Sequence, residues 1–260
     1  MLNRTNFLLK THRDGQQEQQ LIAPLAINWQ PYLSYPFTLG LTGLICRRLD
    51  PPHCFDYEKL AQAILTEREM AFWYQLPKRG MRRSEWLLGR VAIKDATRQF
   101  ATEAGNLELK YLDLEILPDE LGKPILSCPI LEAKELLPEV SLSHTRGHIL
   151  AVVTKSPCQI GVDFERLGYV NLEDFRTVAF TDEELKLLPH DSDELTQLAF
   201  WCAKEAVAKA VGTGLLGQPH RWLITDYRAH QQQITIIHSG KVVEVNLWFG
   251  KNEVIAICQE

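Results

Sequence analysis

The sequence lacks the cysteine patterns of a zinc protein or of a disulfide-rich secreted protein. Six cysteines occur among 260 residues, but none forms a C-x-x-C pair and no His/Cys cluster has zinc spacing. Several lie in apolar stretches, as Cys258 does after residues 254–257, a context typical of buried free thiols in a reducing compartment. The pattern argues against a structural zinc site and against a disulfide framework.

Long apolar runs and an excess of positive charge are also missing. Near the start, Leu8 and Leu9 are followed at once by Lys10 and then by polar residues 11–20. We therefore expect no signal peptide, no membrane span and a cytoplasmic location. The formal net charge of -5 gives no electrostatic support for nucleic-acid binding. With 45% hydrophobic residues, the chain can form one large core or two smaller lobes.

Apolar periodicity predicts a mixture of helices and strands. We expect helices over residues 57–76, 84–104, 172–180 and 193–211, and strands over residues 39–49, 159–165, 233–238, 241–249 and 253–258. This order of elements predicts an α+β (α/β two-lobed) fold.

Two parts of the chain resemble each other at a constant spacing, which indicates an internal repeat. The matches at an offset of 115 residues are residues 66–69 with 181–184, Trp86 with Trp201, Arg90 with Glu205, and Lys94 with Lys209. Residues 43–49 also resemble residues 161–167, at an offset of 118. Chance similarity between two amphipathic helices is the alternative explanation.

The repeat predicts a pseudo-two-fold internal duplication with a ligand cleft between two lobes. We expect an N-terminal extension over residues 1–38, an N-terminal lobe over 39–155, and a C-terminal lobe over 156–260 that carries a metal site.

Two carboxylates are the first candidates for chemistry. Asp163 and Glu165 lie two residues apart on a predicted strand, so their side chains leave the same face. Two carboxylates on one face repel each other unless a cation lies between them or both are well solvated. Oxygen ligands alone favour Mg²⁺ over zinc. The alternative is a pair of exposed charges on an edge strand.

Glu205 is the third candidate. It lies on a predicted helix with Trp201 four residues before it and Lys209 four residues after it, so the three share one stripe. A routine Glu–Lys pair on a solvated surface is the alternative. Because the neighbouring residues 200–211 are otherwise mostly apolar, the charged stripe favours an inward, functional use.

Five short motifs occur in one order along the chain. They are G-K-P at residues 122–124, S-L-S-H at 141–144, G-V-D-F-E at 161–165, F-W-C-A-K-E-A-V-A-K at 200–209 and G-T-G-L at 212–215. Each motif alone is weak, but together they resemble the signatures of the Sfp-type 4′-phosphopantetheinyl transferases.

This resemblance implies a reaction and a set of catalytic residues. Phosphopantetheine would pass from coenzyme A, the substrate, to a serine of an acyl or peptidyl carrier protein, releasing adenosine 3′,5′-bisphosphate. Mg²⁺, or Mn²⁺ in its place, would be held by Asp163, Glu165 and Glu205. Lys209 would add positive charge to the pyrophosphate, and Glu205 would accept the serine proton directly or through a water.

The resemblance also implies how coenzyme A is bound, with Ser143 and His144 at its 3′-phosphate and adenine side. The family often has an arginine shortly before the G-K-P turn, where this chain has residues 117–120 without one. Another source of phosphate-binding charge is therefore needed, and the candidates are Arg82, Arg83 and Arg90. The residues we expect to bind coenzyme A are Arg83, Arg90, Lys123, Pro124, Ser143, His144, Lys204 and Lys209.

Two other functions remain open at this point. One is a Mg²⁺-dependent hydrolase that cleaves a nucleotide pyrophosphate with water, and the other is a non-catalytic module that binds coenzyme A or a carrier. For a transferase, the cationic residues 78–83 are a candidate docking patch for an acidic carrier protein. The duplication would let one chain form a complete cleft, so we expect a monomer that binds neither nucleic acid nor membrane.

Overall fold

The computed structural model describes residues 34–50, 56–168, 176, 178–189 and 193–259. Most of the expected N-terminal extension and of the helix expected over residues 172–180 lies outside these described residues. The helices are α1 (Tyr57–Ile64), α2 (Glu67–Gln75), α3 (Arg82–Gly105), α4 (Pro129–Glu132), α5 (Asp182–Leu185) and α6 (Glu194–Val211).

The strands form three antiparallel groups. In chain order they are β1 (Tyr35–Pro36), β2 (Leu44–Leu49), β3 (Glu115–Pro118), β4 (Pro124–Ser127), β5 (Glu139–Thr145), β6 (His148–Thr154), β7 (Ile160–Arg166), β8 (Leu223–Arg228), β9 (Gln233–His238), β10 (Lys241–Phe249) and β11 (Glu253–Gln259). The first sheet has the order β1-β2-β6-β5, the second has the order β7-β11-β10-β9-β8, and β3 pairs with β4.

The two large sheets share a pattern of connections. Strand β2 pairs with β6 and β6 with β5 in the first sheet, just as β7 pairs with β11 and β11 with β10 in the second. Helix α3 packs on the first sheet and α6 on the second. The predicted α+β class is confirmed, and the shared strand order is what an internal duplication would produce.

Alternation along the strands explains how the layers are held together. In β6, Val153 faces the core under α3, whereas Val152 belongs to a third apolar cluster. In β11, Ala256 faces α6, whereas Ile257 joins the same third cluster. The sheets therefore pack against each other through the third cluster, and each helix covers an outer face. Within the described residues, no helix is long and apolar enough to cross a membrane.

The repeat of the long helices has a different register from the one predicted above. Lys94 on α3 is buried and binds Glu69 at 2.6 Å, and Lys204 on α6 is buried and binds Glu184 at 2.7 Å. These contacts match Lys94 with Lys204, 110 residues later, so the predicted match of Lys94 with Lys209 is wrong. The offset of 115 does hold for the capping boxes that contain Glu69 and Glu184.

A difference in helix length explains this change of register. Helix α2 has nine residues and its counterpart α5 has four. Glu184 therefore precedes Lys204 by 20 residues, whereas Glu69 precedes Lys94 by 25. With the corrected register, Asp95 rather than Arg90 takes the place of Glu205, and Gln99 that of Lys209.

The single helix predicted over residues 57–76 is two helices. Helix α1 ends at Ile64, and the Thr66 side chain accepts a hydrogen bond from the Glu69 N–H to begin α2. The strand predicted over residues 39–49 begins only at Leu44. The strands predicted over residues 233–238, 241–249 and 253–258 are confirmed.

Gly161 allows α6 to lie directly on β7. A Cβ atom at this position would be 1.9 Å from the carbonyl oxygen of Ala206 and 2.5 Å from the backbone nitrogen of Ala210. Both contacts are with helix backbone, which cannot move aside as a side chain can. The glycine therefore sets the distance between α6 and the strand that carries Asp163.

We expect Gly161→Ala to lower the free energy of unfolding by about 3 kcal/mol, because the helix must move away from the sheet. Urea unfolding would measure the change. Gly89→Ala is the matched control, because its Cβ would meet only the flexible Leu142 side chain, at 2.7 Å. We expect the control to change the free energy by less than about 1 kcal/mol, since alanine also favours the helix. An equal loss in both variants would contradict the close approach.

Candidate active site

The candidate site lies where β7 passes under α6. Asp163 and Glu165 project from the α6 side of β7, while Phe164 between them is buried in the cluster between the sheets. Asp163 is almost fully buried, and Glu165 is partly buried at the end of the strand. Helix α6 brings Lys209 to Asp163 across this gap.

The two oxygens of Asp163 have different surroundings. Oδ1 accepts hydrogen bonds from Lys209 Nζ at 2.7 Å and from Ser143 Oγ at 2.9 Å. Oδ2 is buried and has no hydrogen-bond partner among the described residues. A buried carboxylate oxygen without a partner is costly in the folded protein, and a cation bound to it would remove that cost.

Strand β5 is joined to β7 by side-chain hydroxyls. Ser141 Oγ accepts from the Val162 N–H at 3.1 Å, and Ser143 Oγ accepts from the Phe164 N–H at 3.1 Å. Thr145 Oγ1 donates to Glu165 Oε2 at 3.0 Å. We call Ser141, Ser143 and Thr145 the hydroxyl row. It connects the edge strands of the two sheets and holds both carboxylates of β7 in place.

Burial and mutual repulsion change the pKa values of the carboxylates in the site. Burial, followed by the charge of Asp163, raises the pKa of Glu165 to about 7. The same two causes raise the pKa of Glu205, although Lys209 opposes them. Burial lowers the pKa of Lys209, but the neighbouring Asp163 carboxylate outweighs burial and the net effect raises it. Lys209 therefore stays charged, yet the site favours further positive charge.

The chemistry of these groups fits a hard divalent cation. All three predicted ligands supply oxygen, and one buried oxygen has no partner among the described residues. Two of the carboxyls are less acidic than usual, first because they are buried and second because of the neighbouring Asp163 charge. Over the part of the chain that the structure describes, no three His, Cys, Asp or Glu side chains already form a metal-binding group. Asp163, Glu165 and Glu205 would have to draw together around the ion.

Three predicted coenzyme A residues lie in β5, in β4 and just before β4. His144 follows Ser143, is half exposed, and has Nδ1 3.6 Å from Glu85 Oε2. Burial is the largest cause of its lowered pKa, which Glu85 opposes. The Lys123 side chain lies against Gly212, just after α6, and Pro124 begins β4. Their contact with coenzyme A stays a prediction.

Lys204 does not bind a ligand in this arrangement, so that prediction is wrong. Its ammonium group is fully buried and donates to Glu184, to the Ala179 carbonyl at 2.8 Å and to the Pro219 carbonyl at 3.2 Å. Ser143 is also buried, and its hydroxyl is taken up by Asp163 and by the backbone of β7. It is placed to orient Asp163 rather than to reach a nucleotide.

Of the three arginines proposed as phosphate ligands, Arg82 is exposed at the start of α3, and the other two are engaged within the protein. Arg83 is buried, with its guanidinium 3.9 Å from the centre of the Trp73 ring and 3.5 Å from Glu58. Arg90 is buried against Trp86 and donates to the Ile116 carbonyl at 3.1 Å. Both guanidinium groups are therefore largely buried, and their contact with a phosphate stays a prediction.

Some functional residues were missed from the sequence. The S-L-S-H motif includes Ser141 but predicts no role for it, and no motif includes Thr145. The alternation of hydroxyls at positions 141, 143 and 145 is nevertheless a visible signal for one face of a strand. Glu85 was also missed. It accepts from the Gly147 N–H at 2.8 Å and so fixes the turn beside His144.

Comparison with known proteins agrees with the motifs. Residues 159–258 match the family model of the 4′-phosphopantetheinyl transferase superfamily. A holo-[acyl-carrier-protein] synthase of Bacillus subtilis is 35% identical over 97 residues, which are 37% of this chain and 76% of the relative. That of Halalkalibacterium halodurans is 34% identical over the same shares. This chain therefore belongs to the 4′-phosphopantetheinyl transferase superfamily, and its Asp163, Glu165, Glu205 and Lys209 lie in the matched segment.

Two solved structures are also similar. A Bacillus anthracis holo-(acyl-carrier-protein) synthase in complex with CoA (3′,5′-ADP) is 26% identical with a TM-score of 0.35, covering 44% of this chain and 94% of that one. The holo-[acyl-carrier-protein] synthase of Thermotoga maritima is 28% identical with a TM-score of 0.33, covering 50% and 78%.

The hydroxyl row supplies a test of how Asp163 is held. We expect Ser143→Ala and Ser141→Ala each to lower the free energy of unfolding by about 1 kcal/mol, because each leaves a buried N–H without its acceptor. Only Ser143→Ala should also weaken Mn²⁺ binding, by about tenfold, because only Ser143 donates to Asp163. Urea unfolding and electron paramagnetic resonance of free Mn²⁺ would measure the two effects. Equal Mn²⁺ affinity in both variants would contradict the role of Ser143.

Proposed function

We propose that this chain transfers 4′-phosphopantetheine from coenzyme A to a serine of an acyl or peptidyl carrier protein and releases adenosine 3′,5′-bisphosphate. The observation that carries the proposal is the buried Asp163, with Lys209 on one oxygen and no partner on the other among the described residues. In a chain of this superfamily, that arrangement suits a site that holds a cation and a pyrophosphate together. The motifs favour the Sfp type within the superfamily.

The proposed metal is Mg²⁺, with Mn²⁺ as a substitute, held by Asp163, Glu165 and Glu205. When bound, the ion would supply positive charge to the pyrophosphate oxygens during phosphoryl transfer. Ser143 and Thr145 hold the two carboxylates of β7, and Glu205 on α6 would complete the set as the three carboxylates draw together around the ion.

Lys209 has the role of a fixed positive charge at the pyrophosphate. Its ammonium lies 2.7 Å from Asp163, and the carboxylate keeps it protonated. A side chain already held at the site by an ion pair needs little rearrangement to reach a phosphate oxygen beside the metal. The leaving bisphosphate gains negative charge as the bond to phosphorus breaks, and Lys209 stabilises that charge.

Glu205 is the proposed acceptor of the proton from the carrier serine. Burial and the charge of Asp163 raise its pKa, whereas a bound cation would lower it, so a route through a water is reasonable. The serine oxygen can attack the β-phosphorus as its proton is withdrawn, directly or through a water. Asp163 remains tied to Ser143 and Lys209 and so serves to hold the geometry.

Coenzyme A is proposed to lie between an N-terminal lobe, residues 39–155, and a C-terminal lobe, residues 156–260. Its nucleotide end would contact Lys123, Pro124 and His144, which lie around the end of α6 and the turn after β5. We propose that a single chain forms the complete site and works as a monomer in the cytoplasm.

An acidic carrier protein needs a basic surface on a chain whose own net charge is -5. Lys78, Arg79 and Arg82 are exposed at the start of α3 and supply such a surface. Arg83 belongs to the same run in the sequence but is buried, so it is not part of the proposed docking patch.

Intact mass spectrometry of an apo acyl carrier protein tests the transfer directly. After incubation with this chain, coenzyme A and Mg²⁺, we expect the carrier to gain about 340 Da, the mass of one phosphopantetheine arm. The gain should be absent with EDTA and reduced at least about a hundredfold in rate for Glu205→Gln. Glu194→Gln, at an exposed residue in the first turn of α6, serves as a matched control with an unchanged rate.

Two outcomes would contradict the proposal. Consumption of coenzyme A without any mass gain would indicate a pyrophosphate hydrolase. Binding of coenzyme A with neither consumption nor mass gain, across fatty acid, polyketide and peptide carriers, would indicate a non-catalytic module.

A further inference from the structure

The ammonium group of Lys204 forms a complete set of bonds inside the protein. Its three protons have three acceptors, namely Glu184 at 2.7 Å and the carbonyls of Ala179 and Pro219 at 2.8 and 3.2 Å. The side chain has no exposed surface. Ala179 precedes α6 in the chain and Pro219 follows it, so the lysine links the helix to the segments before and after it.

Glu184 is equally well satisfied. Its Oε1 accepts from the Ile224 N–H on β8 at 2.8 Å, and its Oε2 accepts from the Thr181 N–H at 2.8 Å as part of a capping box. One carboxylate therefore caps α5, holds the start of β8 and pairs with α6. A buried ion pair of this kind adds little to the free energy of unfolding, but it requires one particular arrangement of its two side chains.

The first half of the chain contains the same arrangement, a buried lysine of a long helix paired with the glutamate of a capping box. We call this arrangement the device. Lys94 donates to Glu69 at 2.6 Å and to the carbonyls of Ile64 and Tyr111 at 2.6 and 3.1 Å. Glu69 in turn accepts from the Ile116 N–H at 2.9 Å and closes the capping box of α2. The residue after Lys94 is Asp95, which is bound by Ser34 and Tyr111 and lies outside the candidate site. The device thus occurs with and without reacting groups beside it.

In the second half, the residue after the buried lysine is Glu205. Adjacent residues on a helix point about 100° apart, so fixing Lys204 on one side of α6 fixes the direction of Glu205 on the next. Gly161 sets the distance between α6 and β7 by its contact with Ala206. Contact at Gly161 does not by itself prevent the helix from rotating about its axis, whereas the three bonds of Lys204 do.

We propose that Lys204, through Glu184, is a positioning residue that sets the rotation of α6 and so presents Glu205 and Lys209 to Asp163. This inference rests on the proposed function for its reaction, but its geometric part concerns cation binding alone. It replaces the expectation that Lys204 touches coenzyme A.

The test compares two charge-neutral double variants of the full chain. Lys204→Met with Glu184→Gln removes the device beside the site, and Lys94→Met with Glu69→Gln removes the same device in the first half. Both pairs should lower the urea midpoint by similar amounts, since they break equivalent contacts. Only the first pair should weaken Mn²⁺ binding, by about tenfold in electron paramagnetic resonance titrations without turnover, and lower kcat by a similar factor. The KM for coenzyme A should stay within about threefold in both.

Two results would overturn the proposal. A KM for coenzyme A raised tenfold or more in the first pair, with unchanged Mn²⁺ affinity, would make Lys204 a ligand-binding residue. Equal losses of Mn²⁺ affinity in both pairs would show that the buried Lys–Glu pair acts only through the stability of the fold. If a double variant does not fold, Glu184→Gln compared with Glu69→Gln carries the same contrast. If the wild-type chain binds Mn²⁺ but modifies no carrier, the proposed function fails, while the Mn²⁺ comparison still decides the role of Lys204.

Discussion

The structure depends on the way the edge strand of one sheet meets the edge strand of the other. Strands β5 and β7 are joined by the hydroxyl row rather than by backbone pairing, and the same hydroxyls hold Asp163 and Glu165. A backbone ladder would satisfy only main-chain groups. Side-chain hydroxyls can bond the main chain of β7 and a carboxylate together, as Ser143 does. The junction of the two halves and the candidate site are therefore one network.

The proposed catalytic residues all lie in the second half of the repeat. In the first half, Arg47 takes the place that Glu165 has in the second, and Asp95 takes the place of Glu205. Arg47 is buried and donates to Ser34 Oγ at 3.1 Å and to Gln99 at 3.2 Å, while Asp95 accepts from the same Ser34. A permanent guanidinium therefore provides positive charge near Asp95. Among the described residues of the second half, Lys209 reaches only one oxygen of Asp163, and the other oxygen has no partner.

The sequence predicted those features that depend on local pattern. The shared face of Asp163 and Glu165 follows from strand alternation, and the capping boxes of α2 and α5 were visible in the repeat. The role of Lys204 was not predictable, because a lysine on an apolar helix can serve a ligand or a buried partner. Its partner Glu184 lies 20 residues away and looks in the sequence like an ordinary capping residue.

Other differences have the same origin in tertiary contacts. Arg83 and Arg90 look like exposed phosphate ligands until the tryptophan rings that cover them, Trp73 and Trp86, are in place. The register of the repeat was misjudged because the five extra residues of α2 are not marked by any break in apolar spacing. Burial and partner choice over such distances are set by packing, which a single sequence does not specify.

The most direct test of this account is the number of Mn²⁺ ions that one chain binds. Electron paramagnetic resonance titration of the metal-free protein should give a stoichiometry of one, because Arg47 supplies the charge in the first half and Asp163 needs a cation in the second. Asp163→Asn should abolish that site, and Asp95→Asn should leave it intact. A stoichiometry of two, or one site that survives Asp163→Asn, would contradict the central claim that only the second half of the scaffold holds the metal.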